Sequence, residues 1–189
     1  MIEMPPIFPV KFPDGTWSNS QMISDAYNLE SMANPVHVLE TQERFWERNQ
    51  LFGNFYVNFN ILPGLDFRTQ FGFDKNIRNK KEYSPRDLVN ISAPDGFGRI
   101  FNEKSTYWQQ ENYLTYTNDF GKHRINTMLG LSWQERQYES STIFARGFSD
   151  DFFKYNNIGS ASNPSAPESA TEEWALNSYF VRAGYTFDD

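Results

Sequence analysis

The sequence predicts an all-β fold, in which antiparallel strands form part of a large transmembrane β-barrel with long extracellular loops. Successive stretches of the chain alternate apolar and polar residues, which places the two classes on opposite faces of a strand. Each run is close to the about 9–11 residues that a tilted strand needs to cross a bilayer. The links alternate between short and long, as in bacterial outer-membrane barrels, whose periplasmic turns are short and extracellular loops long.

The clearest element is a predicted barrel hairpin over residues 49–74. Its odd-numbered positions, such as Phe55 and Phe59, are apolar, and even-numbered positions such as Asn58 are polar. A Pro-Gly pair within 62–64 predicts the turn between its strands. A soluble hairpin would also alternate, so the length and aromatic content of the runs favour the barrel.

A second predicted hairpin covers 105–136, with a short turn near 118–122. Its second strand alternates clearly around Leu129, whereas 109–112 is polar at both parities and leaves the register of the first strand open. Residues 173–189 predict a further barrel strand and the start of a periplasmic turn, with apolar and polar positions again alternating.

The remaining segments are predicted to be extracellular loops. Residues 1–48 lead into the barrel, and 75–104 and 137–172 are long, irregular connections. Five strands cannot close a barrel, because bacterial single-chain barrels have an even number of about eight or more strands. Open edges in lipid would leave backbone groups unpaired. We therefore expect these residues to be a fragment of one larger barrel domain.

The composition excludes several classes of function. A mean hydropathy of -0.67 is compatible with a barrel, because half of each strand and the loops are polar. A net charge of -7 argues against nucleic acid as a partner, since such binding needs clustered Lys and Arg. With two histidines, no cysteine, no nucleophile elbow and no phosphate loop, the sequence predicts no enzyme, cofactor or metal site.

Short motifs in a fixed order extend this interpretation. They are Asn-Pro-Val at 34–36, Gly-Asn-Phe-Tyr at 53–56, the run 61–69, Glu-Asn-Tyr-Leu-Thr-Tyr at 111–116, and the run 177–189. In this order and topology the chain resembles the SusC/RagA family of TonB-linked outer-membrane transporters. The resemblance covers nearly the whole chain.

The resemblance implies a function and partners. It implies an outer-membrane importer of large nutrients, glycans or oligopeptides, with a SusD-like surface lipoprotein as its lid. TonB would act through parts of the protein absent from this chain, and lipid would surround the wall. The alternative is a soluble extracellular all-β carbohydrate-binding module, in which the apolar faces of the strands would pack in a core.

Two sets of residues are candidates for contact with substrate. The predicted lumen-facing residues, for which side-chain ladders or ion pairs to a plug are the favoured alternative, are Asn58, Arg68, Gln70, Arg124, Asn126 and Arg182. Aromatic side chains assigned to loops could stack on sugar rings or pack within the loops, and these are Tyr83, Phe97, Trp108, Phe148, Tyr155 and Trp174. Trp108 and Trp174 are alternatively anchors of an outer aromatic girdle.

Overall fold

The structure is a computed structural model that describes residues 9–18, 33–88 and 95–188. Its main element is a six-stranded antiparallel sheet, which confirms the predicted fold class and is not closed among these residues. The strands are β1 (Glu43–Leu62), β2 (Leu65–Ser84), β3 (Phe97–Phe120), β4 (His123–Arg146), β5 (Asn163–Pro164) and β6 (Glu168–Phe187). Strands β1 to β4 are neighbours in chain order, and β4 pairs with both β5 and β6.

Both predicted short turns are confirmed. Pro63 and Gly64 connect β1 to β2, and Gly121 and Lys122 connect β3 to β4. Gly64 and Gly121 have φ angles of +81° and +65°, which glycine adopts without the steric cost that a Cβ atom would add. The backbone N–H of Thr117 donates to the Gly64 carbonyl at 2.7 Å, which joins the first turn to β3.

The strands are longer than predicted, and this corrects the limits of the loops. β2 continues to Ser84 and β3 begins at Phe97, so much of the predicted loop 75–104 is strand. The predicted loop 137–172 likewise contains the end of β4, a 3-10 helix at Lys154–Ser160, β5 and the start of β6. Alternation fades there because charged residues occupy both parities, as in Lys80-Lys81-Glu82. The strands continue there because they pair with neighbouring strands, and this pairing cannot be seen in the sequence of one segment alone.

One short helix, α1 (Pro35–Thr41), lies in the segment predicted as a loop at 1–48. Asn34 caps it, since its side-chain oxygen accepts from the backbone N–H groups of Val36 and His37. Pro35 occupies the first turn, where its missing N–H removes no hydrogen bond. No helix in the described part of the chain is long and apolar enough to cross a membrane.

The described residues divide into two units. The loop unit comprises those of Met1–Glu47, Arg78–Asn102 and Ser141–Ser169, and the strand unit those of Arg48–Ile77, Glu103–Ser140 and Ala170–Asp189. Each long strand contributes residues to both.

The strand unit has one apolar face and one polar face. On the apolar face, aromatic rings pair across strands, with Phe55 5.4 Å from Phe71 and Phe71 6.3 Å from Trp108 between ring centroids. Many apolar side chains of this unit are nevertheless exposed, including Phe59 at 52% and Leu129 at 53%. Such aromatic cross-strand pairs stabilise a sheet. No other described residues pack over this apolar face, so it stays exposed.

The loop unit contains a small hydrophobic core. Tyr83, Ala145, Phe148, Ile158 and Ala161 are buried together, with Ile100 and Tyr155 packed against them. The 3-10 helix supplies Ile158. The segment that follows this helix is held to the sheet because β5 pairs with residues 145–146 of β4. Irregular chain therefore covers the strands here.

Candidate functional site

The polar face of the strand unit carries a hydrogen-bonded row of side chains across β2 and β3. Arg68 donates to Gln70 at 3.1 Å, and Gln70 donates to Glu111 at 3.4 Å. Tyr113 donates to the same Glu111 carboxylate at 2.8 Å. The Arg68 guanidinium also lies 4.1 Å from the ring centroid of Tyr56 on β1. Two of the predicted lumen residues, Arg68 and Gln70, thus belong to one ladder.

A second polar row crosses β3, β4 and β6. Arg182 donates to the Asn126 side-chain oxygen at 3.1 Å, and the Asn126 amide donates to Thr117 at 2.7 Å. Arg124 instead pairs with Asp119 at 2.8 Å beside the turn between β3 and β4. Asn58, the remaining candidate, is exposed on β1. A role in lining a lumen stays a prediction for all six predicted residues.

Two of the predicted loop aromatics are core residues, which corrects their placement. Tyr83 is 0% exposed near the end of β2, and Phe148 packs edge-on against it at 5.2 Å between ring centroids. The Tyr83 hydroxyl donates to Asp151 at 2.6 Å. Burial, together with this hydrogen bond, raises the pKa of Tyr83 above its ordinary value. Neither ring presents a face for stacking on a ligand.

Trp108 and Trp174 lie within strands rather than in loops, which also corrects the prediction. Trp108 is in β3 and stacks on Phe71 of the apolar face. Trp174 is in β6 and packs against Tyr107, whose hydroxyl donates to Gln109 on the polar face. Trp108 therefore lies on the apolar face, and Trp174 packs with side chains of the polar face; a role in an outer girdle stays a prediction.

The last two predicted aromatics are in the loop unit. Phe97 is the first residue of β3, and its ring lies 5.8 Å from that of Phe144. Tyr155 lies in the 3-10 helix, where the Lys81 ammonium is 5.7 Å from its ring centroid. Their contact with substrate stays a prediction.

A cleft in the loop unit brings together residues that were not predicted as a site. It encloses about 340 Å³. Its lining combines two rings, two cations, two carboxylates and one hydroxyl, namely Trp46, Phe101, Lys80, Arg99, Glu82, Glu168 and Thr142. These side chains come from β1, β2, β3, β4 and β6, so they converge only when the strands are paired.

The Lys80 ammonium contacts both aromatic rings of the cleft. It lies 4.7 Å from the ring centroid of Trp46 and 5.4 Å from that of Phe101, within the range of cation–π attraction. Trp46 is 67% exposed, so the residue remains accessible to a ligand beside Lys80. A cation beside an open aromatic face can bind an anionic group and an apolar surface at once.

The wall of the cleft is held by further charge contacts. Arg99 pairs with Glu82 at 3.8 Å, and its guanidinium lies 5.5 Å from the ring centroid of Phe144. Arg146 lies 5.0 Å from the same ring centroid. The chemistry that this arrangement supplies is noncovalent binding by ring faces, cations and carboxylate acceptors. In the described ranges no group of three or more His, Cys, Asp or Glu residues could hold a metal ion.

The sequence held a partial signal for the cleft. Trp46, Lys80 and Phe101 lie in runs where charged and aromatic residues mix. These residues fall within the predicted loops 1–48 and 75–104. Recognising these runs as paired strands would have placed the three side chains on adjacent strands.

Sequence comparisons find relatives that share one description. TonB-dependent receptor P3 of Formosa agariphila is 28% identical over 174 residues, 92% of this chain. TonB-dependent receptor P39 of the same organism is 32% identical over 136 residues, 70% of this chain. The predicted resemblance is confirmed. This chain spans 17% of the first relative and 13% of the second. No protein-family model matches the sequence.

Solved structures show the same fold. A structure of the RagAB peptide transporter matches 86% of this chain with a TM-score of 0.76 and 20% identity, over 18% of that protein's chain. The RagAB peptide importer in its open-open state matches 84% of this chain with a TM-score of 0.73 and 22% identity. At these identities the likeness shows the fold alone: this chain folds like a section of the RagA barrel.

Proposed function

We propose that this chain forms part of the wall and mouth of a TonB-dependent outer-membrane importer of large nutrients, glycans or oligopeptides. The observation that carries the proposal is the two-faced strand unit, with exposed Phe55 and Phe59 on one side and hydrogen-bonded polar rows on the other. A barrel wall needs such faces, because lipid contacts one and an aqueous lumen or plug contacts the other. The sequence relatives, described as TonB-dependent receptors, support it.

Strand length supports a wall that continues beyond the bilayer. β3 and β4 each have 24 residues, whereas about 9–11 residues suffice to cross a bilayer. In outer-membrane barrels the long connections are extracellular. We therefore propose that the loop unit, with its cleft, belongs to the extracellular mouth where substrate is first bound.

We propose further that a SusD-like lipoprotein closes this mouth and that TonB supplies the energy for import. Both follow from the family resemblance and apply to the whole protein rather than to these residues. The proposed role is transport, without catalysis. The RagAB structures are described as a peptide transporter and importer, but similarity at 20–22% identity leaves glycans and oligopeptides as equal candidates here.

The competing function, a soluble carbohydrate-binding module, requires the apolar face to pack in a core. In the described residues Phe55, Val57 and Phe59 are 60%, 45% and 52% exposed, which favours a face that lipid covers.

The test is a matched pair of substitutions in the intact protein. Phe59→Arg places a charge on the proposed lipid face, and we expect it to destabilise the barrel by about 2–4 kcal/mol near the bilayer midplane. Asn58→Arg places the same charge on the neighbouring, polar face, and we expect it to be tolerated. The measurement is the heat-modifiable band in the outer-membrane fraction, with copurification of a lipoprotein as a second readout.

Equal tolerance of both substitutions would contradict the lipid-facing assignment. A product that is absent from membranes and insensitive to heating would contradict the importer and support the binding module.

A further inference from the structure

We infer that the cleft around Lys80 is a binding subsite for a carboxylate group carried on a substrate unit with a flat apolar face. The inference rests on the proposed import function and specifies which chemistry the mouth recognises. It starts from the position of one charge: the Lys80 ammonium lies against the rings of Trp46 and Phe101, at 4.7 and 5.4 Å from their centroids.

The rings place the ammonium without neutralising it. A carboxylate partner would cancel the charge of Lys80, whereas the faces of aromatic rings orient a cation and leave its N–H groups able to donate. Among the residues that the structure describes, the contacts of this ammonium are with these rings. Because the chain has a net charge of -7, an ammonium without a carboxylate partner in the described ranges is a local site where an anionic ligand can bind.

The surroundings favour a single negative charge. Glu82 and Glu168 also line the cleft, and Arg99 is paired with Glu82 at 3.8 Å. Two carboxylates in the wall would repel a multiply charged anion, while one carboxylate can contact Lys80 from the open side. Glu168 and Thr142 remain as hydrogen-bond partners for hydroxyl or amide groups of the ligand.

The shape of the cleft sets the size of the ligand unit. A volume of about 340 Å³ lies at the low end of the about 300–1,000 Å³ typical of small-molecule sites, so it suits one or two substrate units. The exposed ring of Trp46 provides a flat surface against which a sugar ring or an apolar part of a peptide can stack. An acidic oligosaccharide and an acidic oligopeptide both satisfy these requirements through the same carboxylate.

The experiment measures ligand affinity by calorimetry with the intact protein in detergent, after its heat-modifiable band has shown a folded barrel. The probes are galacturonate and its neutral methyl ester, and the N-acetylated, C-terminally amidated peptides Ala-Ala-Glu and Ala-Ala-Gln, so that the members of each pair differ by one negative charge. We expect the acidic member of one pair to bind at least about tenfold more tightly than its neutral counterpart, the scale of a charge-assisted hydrogen bond. The pair that shows this preference identifies the source of the carboxylate.

Two variants assign the preference to Lys80. Lys80→Met should abolish it and leave the affinity for the neutral probe nearly unchanged, and Lys80→Arg should retain part of it. Lys81→Met removes the same charge from the neighbouring position, which contacts Tyr155 instead, and should change nothing. A preference that persists in Lys80→Met, or no binding of any probe by the folded protein, would overturn the inference. If the importer proposal itself is wrong, the heat-modifiable band is missing before any ligand is added, so the two failures can be distinguished.

Discussion

The loop unit and the strand unit contain different parts of the same long strands but cover their apolar side chains differently. In the loop unit Tyr83 and Phe148 are 0% and 4% exposed, because the segment with the 3-10 helix packs over them. In the strand unit Phe55 is 60% exposed. An apolar residue in a strand thus becomes core where chain folds back over it, and stays exposed where no described residue does. The difference separates the part that protein contacts stabilise from the part that, in the proposed importer, a bilayer would cover.

The largest expected effect is on the core of the loop unit. Phe148→Ala removes a buried ring that packs on Tyr83, and we expect it to lower the free energy of opening this segment by about 3–5 kcal/mol. Hydrogen exchange of the amides in 148–161 is the measurement. Phe55→Ala in the strand unit is the matched control and should leave that exchange unchanged. Similar exchange in both variants would remove the proposed distinction between the units.

A smaller effect is expected at Gly130, where the strand unit leaves no room for a side chain. A Cβ atom at Gly130 would lie 1.8 Å from the Phe180 ring, so Gly130→Ala forces that ring to move. Overpacking of this kind costs about 1–3 kcal/mol. We expect a lower midpoint of thermal unfolding for the intact barrel, and recovery when Phe180→Ala is added. If the double variant is no more stable than the single one, the ring is not the cause.

The smallest effect is a response of the loop unit to acid. His37 is 3% exposed, stacks on Trp17 at 4.3 Å between ring centroids, and has Nε2 3.3 Å from the Asp87 carboxylate. Burial lowers the pKa of His37, although Asp87 and Glu40 act to raise it, and Lys11 lowers it further. The unfolded segment therefore takes up a proton at a higher pH than the folded one. Its stability is complete above pH about 6.5 and falls as the pH drops below that value.

The fluorescence of Trp17 reports this change. We expect its emission to shift as the pH falls below about 6.5, because protonation disfavours the buried stack. His37→Phe keeps an aromatic ring but cannot titrate, so the shift should disappear in that variant. A shift that survives would assign the response to other groups.

Much of the strand unit could be predicted from the sequence. The alternation around Phe55 and Asn58, the turn at Pro63 and Gly64, and the polar position of Gly130 are local features, because a strand places successive side chains on opposite faces. The order of the motifs also identified the family resemblance. These properties depend on residues that are close together along the chain.

Only the tertiary structure decided the ends of the strands, the core of the loop unit and the cleft. Tyr83 meets Asp151, and Lys80 meets Trp46, across long separations in sequence that no local pattern records. The segment 75–84 looks like a loop because its charges occupy both parities, yet it is strand because its backbone pairs with neighbouring strands. The sequence by itself therefore determined which face of each regular strand is apolar. Pairing and packing between distant segments determined which apolar side chains are buried and which charges meet.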